Sequence, residues 1–159
     1  MATARERAAS VILSGDGALL VIRRAWNGRN YCVLPGGGVE EGETPCDAAL
    51  RELYEGTGLD GHVERHLGTY RHAARVAHYY LVLVQSGPLR LGGPELELLS
   101  VANRHSPTWT LLSELDNENL QPEERRPLLR SLSPCGPVAR STIPRRCQRV
   151  RSNGKYEAP

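Results

Sequence analysis

The chain has 159 residues, 40% of them hydrophobic and 24% charged, the balance of a soluble globular protein long enough to close one core. Its longest apolar run, Tyr79 to Val84, is far below membrane-spanning length. The formal net charge of +2 hides an asymmetry: net −3 through Ser133 and net +5 from Pro134 onward. Cys32, Cys46, Cys135 and Cys147 form no C-x-x-C pair, so neither a zinc site nor a disulfide framework is indicated. The N-terminal arginines are followed by no apolar run of signal-peptide length. A reduced, cytoplasmic protein without membrane partners is expected.

In chain order, residues 8–14 and 18–25 are apolar, β-branched runs split by Gly15-Asp16-Gly17, a hairpin signal. Residues 31–35 form a short strand ended by Pro35 and three glycines. A helix follows, with Thr44 as N-cap, Pro45 at the first helical position and Asp47 in the first turn. Ala48, Ala49, Leu50 and Leu53 supply its apolar positions, and Gly56 or Gly58 ends it. Residues 62–72 and 75–86 read as a second strand pair, 87–107 as a loop, and 108–112 as a short strand. Residues 115–132 contain a closing helix interrupted by Pro122 and Pro127. A mixed α/β domain over residues 1–133 is expected, with 134–159 as a basic, largely disordered tail.

The chemistry concentrates in residues 35–59. Glycines at 36–38 allow the backbone to approach a ligand closely. Positions 52, 55 and 56 share one helical face, so Glu52 and Glu55 lie side by side with Gly56 next to them. Neighbouring carboxylates repel, which favours a cation, and oxygen ligands suit magnesium or manganese. On spacing alone a solvated surface pair is the simpler reading.

The larger pattern changes that. From Gly37 the chain runs five residues to Glu43, seven more, then Arg51-Glu52-Leu53-x-Glu55-x-x-Gly58-Leu59. This closely resembles the Nudix box, G-x5-E-x7-R-E-U-x-E-E-x-G-U with U aliphatic, at eight of its nine fixed positions. The resemblance runs from residue 8 to about 132 and implies a Nudix-like α/β/α sandwich with a mixed sheet. It further implies a magnesium- or manganese-dependent pyrophosphohydrolase acting on a nucleoside diphosphate linked to another moiety. By the resemblance, Glu52 and Glu55 bind the metal or its activating water, with the Gly37 carbonyl beside them. Arg51 joins them in the catalytic set, and it pairs with Glu43, which braces the loop against the helix. Many family members dimerise, so a homodimer belongs to the same expectation.

The departure is Gly56, where the family has a second glutamate that is generally a metal ligand. Three explanations stand. Glu95 or Glu97 supplies the missing ligand from a later loop; metal binding is weakened; or catalysis is lost and the domain binds a nucleotide-like ligand for regulation.

For substrate contacts, Arg23 and Arg24 near the end of the second strand offer a phosphate partner, with a solvated strand end as the simpler reading, and Tyr31, Tyr79, Tyr80 and Trp26 have rings that can stack on a base. Tyr79 and Tyr80 point to opposite faces of a strand, so no single pocket takes both. Trp109 is expected in the core. His66, His72 and His78 show no metal spacing. The basic tail raises RNA as a further partner, through either 5′-end pyrophosphohydrolysis or simple binding.

Overall fold

In a computed structural model, residues 5–72, 74–85, 88–90 and 103–132 are described. They contain the strands β1 (Arg5–Val11), β2 (Ala18–Trp26), β3 (Arg29–Val33), β4 (Gly36–Gly38), β5 (Gly61–His72), β6 (Arg75–Val84), β7 (Asn103–Leu111) and β8 (Leu120–Gln121). Helix α1 spans Pro45–Thr57 and the short helix α2 spans Arg126–Arg130. Two mixed four-stranded sheets result, ordered β4-β1-β6-β5 and β7-β2-β3-β8. This is the mixed α/β architecture expected. No helix among the described residues is long and apolar enough to cross a membrane.

Helix α1 forms for local reasons. The Thr44 hydroxyl accepts the Asp47 backbone N–H at 3.1 Å, and Pro45 pre-sets the first turn. The helix passes through Gly56 and stops at Gly58, whose φ of 72° lies in the left-handed region that glycine adopts without strain. Its buried face carries Ala48, Ala49, Leu50 and Leu53, packed on Ala8, Ile12, Leu20, Val63, Tyr80 and Val82. A fully enclosed leucine such as Leu53 contributes about 2 kcal/mol. The Ser10 hydroxyl donates to the Ala49 carbonyl at 2.9 Å, fixing the helix on β1 inside this core.

A second core fills the space between the sheets, with Val11, Tyr79 and Leu81 meeting Leu19, Val21 and Cys32. Burial pushes the Cys32 thiol up to about 11, and it is a free cysteine.

Several boundaries differ from the sequence reading. The runs on either side of Gly15-Asp16-Gly17 are not partners in one sheet. Beyond a single Leu13–Leu19 bridge they part, β1 pairing with β4 and β6 and β2 pairing with β3 and β7. Both strands are buried on both faces where they leave the turn, so each is drawn into a separate sheet. The tight hairpin lies instead between β2 and β3, where Asn27 and Gly28 both have positive φ, 47° and 74°. The three glycines form β4 rather than an open turn, because a Cβ on Gly36 would fall on the Ala8 carbonyl. β7 begins at Asn103, within the expected loop; pairing with β2 overrides its weak strand propensity, and edge position accommodates Pro107. Pro122 and Pro127 limit the closing helix to α2 and two 3-10 turns. Trp109 is 37% exposed rather than core. The tail, 134–159, lies outside the described residues.

Candidate active site

β4 and α1 face each other across the Glu40–Thr44 connection, and Arg51 joins them. Its Nε and one terminal nitrogen donate to the two Glu43 oxygens at 2.9 and 3.0 Å, a fork-on-fork pair. That second nitrogen also donates to the Gly38 carbonyl at 2.9 Å. The other terminal nitrogen, Nη1, donates to Glu52 at 3.0 Å and Glu55 at 3.3 Å. Glu43 in turn accepts the Glu40 N–H at 3.1 Å, closing the loop onto the brace. One guanidinium thereby fixes the glycine strand, the loop and both helix carboxylates.

Gly37 completes the arrangement. The Glu52 carboxylate lies directly over it, in the space a Cβ would occupy. Only glycine lets the carboxylate and this backbone meet.

Electrostatics follow from the count of charges. Glu40, Glu43, Glu52 and Glu55 all lie within ion-pair distance of Arg51, so four carboxylates surround one guanidinium. The Arg51 hydrogen bonds hold the Glu43 carboxyl below its ordinary value of 4.5 despite partial burial. The same bonds, Glu43 first, push Arg51 further up. A depressed carboxyl adds stability that is full above its unfolded value and is lost as pH falls through the lower native one. Glu43→Gln should therefore flatten the fall in unfolding free energy below about pH 4.5, read from urea titrations at stepped pH.

The donor set suits a hard divalent cation. The local charge is in excess of the single counter-ion, the oxygens of Glu52 and Glu55 are gathered beside one guanidinium nitrogen, and Glu52 rests on Gly37. The set is sparse, since no group of three or more His, Cys, Asp or Glu able to hold a metal occurs among the described residues. Gly56, buried in α1, accounts for part of this. Glu95 and Glu97 lie outside the described residues.

The expected substrate residues separate. Arg23 pairs across the strands with Cys32, which faces the inter-sheet core, and its guanidinium is engaged by Glu118. Arg24 pairs with Tyr31 on one side and His105 on the other, so these three side chains share the opposite face of β3-β2-β7. Ile22, Val33 and Pro107 continue the same face, and β3 runs on into β4 two residues later. Tyr79 is 4% exposed and packs edge-on against Tyr70, while Tyr80 sits under α1. Core packing thus takes up Tyr79 and leaves its ring no exposed face for a base, whereas Trp26 is exposed. Of the two arginines, Arg24 is the one beside Tyr31, with His105 on its other side. Asn27-Gly28 was the available signal, because it sets the register that decides which arginine faces which way.

The model of the NUDIX domain matches residues 4–132. The chain belongs to the Nudix hydrolase superfamily. It is similar to a MutT-like protein of Streptomyces ambofaciens, 43% identical over 67 residues, or 42% of each chain. Over 141 residues it is 31% identical to the protein named MutT4 of Mycobacterium tuberculosis, covering 80% of this chain and 54% of that one. An ADP-ribose pyrophosphatase of Methanocaldococcus jannaschii is 36% identical over 88 residues, 51% of this chain and 52% of its own. The chain thus spans about half the length, or less, of these curated relatives. Among solved structures, the E. coli ORF135 protein superposes with a TM-score of 0.59 at 25% identity, over 80% of this chain and 87% of that one. A UDP-X diphosphatase superposes with a TM-score of 0.62 at 20% identity, over 83% and 64%, which supports the fold.

Proposed function

We propose that the chain is a metal-dependent pyrophosphohydrolase that cleaves the phosphoanhydride of a nucleoside diphosphate linked to another moiety. The observation that carries this reading is that Arg51 gathers Glu55 and Glu52 on one nitrogen, with Glu52 seated over Gly37. Magnesium or manganese would be held by Glu52, Glu55 and the Gly37 carbonyl, where it would neutralise phosphate charge and make a bound water more acidic. Glu55, reached by Arg51 through one longer bond, is the carboxylate best free to accept a proton from the attacking water. Glu52 is committed to its place over Gly37, and Arg51 holds both against mutual repulsion. Arg24, Tyr31 and His105 form the face for the nucleoside end, with Tyr31 offering a ring and Arg24 a cation.

Gly56 favours a second reading, a domain whose site binds a nucleotide-like ligand without turning it over. The two separate on a panel of ADP-ribose, UDP-sugars, nucleoside triphosphates and 5′-triphosphorylated RNA, assayed with magnesium and with manganese. The enzyme reading expects metal-dependent turnover of at least one member, read as nucleoside monophosphate from the nucleotides or pyrophosphate from the RNA. Saturable binding across the panel with no product under either metal supports the binder. RNA enters the panel because an RNA pyrophosphohydrolase of Roseobacter denitrificans is 44% identical over 50 residues, 31% of this chain and of its own.

A further inference from the structure

Away from the carboxylates, the ribbon of β5 and β6 carries a polar cluster that the chemistry above does not use. The Thr69 hydroxyl lies 3.2 Å from His66 Nε2 and 2.9 Å from His78 Nδ1, bridging the two rings. The other His78 nitrogen, Nε2, is enclosed and has no hydrogen-bond partner; the Glu6 carboxylate lies 3.8 Å away on β1. The His66 ring also packs on Tyr80, with centroids 5.0 Å apart, and Tyr80 belongs to the core under α1. Glu6 has a second connection. Its carbonyl accepts the Val39 N–H at 3.1 Å, and the next residues, Arg7 and Ala8, pair with Gly38 and Gly37. The cluster therefore touches the end of β1 that carries the glycine strand.

We propose that His66, Thr69 and His78 form a pH-responsive clasp that ties β5 to β6, and that this clasp loosens on acidification. A hydroxyl has one proton. With neutral rings it donates to one imidazole nitrogen and accepts from the N–H of the other, satisfying both links. When both rings are protonated, two N–H groups converge on one oxygen, the hydroxyl proton loses its acceptor, and two cations stand with centroids 6.3 Å apart.

The surrounding groups set the direction. Burial, the main cause, holds His78 below its ordinary value of 6.5; Glu6 opposes the shift, while His66 and Arg71 add to it. Tyr80, its hydroxyl pushed up by burial, Glu6 and the Asp47 carboxylate of α1, stays neutral here. A base held below its unfolded value contributes stability that is full above pH 6.5 and declines as pH falls beneath it.

The test uses the full chain and needs no turnover, so its outcome is independent of the proposed activity. Urea midpoints are compared at about pH 8 and about pH 5.5 for wild type, His78→Gln and Thr69→Val. The expected wild-type midpoint falls by about 0.5 M between these conditions, and the fall at least halves in both variants. A fall of equal size in all three overturns the clasp. Should a variant fail to fold, the imidazole proton resonances of the wild-type chain decide: His78 is expected to titrate below 6.5, and a midpoint at or above that value overturns it.

Discussion

Glu55→Gln should lower metal-dependent turnover by about 1,000-fold while leaving the thermal unfolding midpoint within a degree or two of wild type. Glutamine keeps an oxygen to accept the Arg51 bond, which is the longer of the two helix contacts at 3.3 Å, so the fold loses little. What it removes is the negative charge that attracts a divalent cation and the basic oxygen that takes the proton. Single-turnover kinetics with saturating manganese measure the effect. Loss of less than tenfold would place the base elsewhere, for example on the 91–102 segment.

Arg51→Lys should be damaging in a different way. An ammonium cannot reproduce the planar fork that grips both Glu43 oxygens, the Gly38 carbonyl and two helix carboxylates at once. Removing it leaves Glu43, 16% exposed, and Glu52, 18% exposed, without that shared donor. The cost should be about 2–3 kcal/mol of unfolding free energy together with most of the activity. Urea titration separates this from Glu55→Gln, which should cost activity alone. A lysine variant as stable as wild type would mean that Arg51 is not the brace it resembles.

The parts of this site that were legible in the sequence are those built from local interactions. Thr44, Pro45 and Asp47 form the helix start through bonds spanning three residues, and Gly58 ends it through its own backbone freedom. The spacing of Gly37, Glu43, Arg51, Glu52 and Glu55 held because each residue in it touches another. Choices made between distant strands were not legible. The Gly15-Asp16-Gly17 turn has a hairpin's chemistry, yet its two arms join different sheets, since partners 27 to 93 residues away compete for each strand. Which face an arginine occupies depends on that pairing, so Arg23 and Arg24 could not be told apart until the register of β2 was known. Alternation along one strand, in contrast, was legible, and it places Tyr79 and Tyr80 in different cores.

Gly56 is buried within α1, the helix continues through it, and both flanking carboxylates remain in position, so the backbone of the site survives the missing acid. The most direct measurement is manganese-dependent hydrolysis by wild type and Gly56→Glu, side by side on the same substrate panel. A working site predicts turnover by wild type, with Gly56→Glu changing the metal requirement rather than creating the activity. Silence from wild type at every metal concentration, with turnover appearing only in Gly56→Glu, would contradict it.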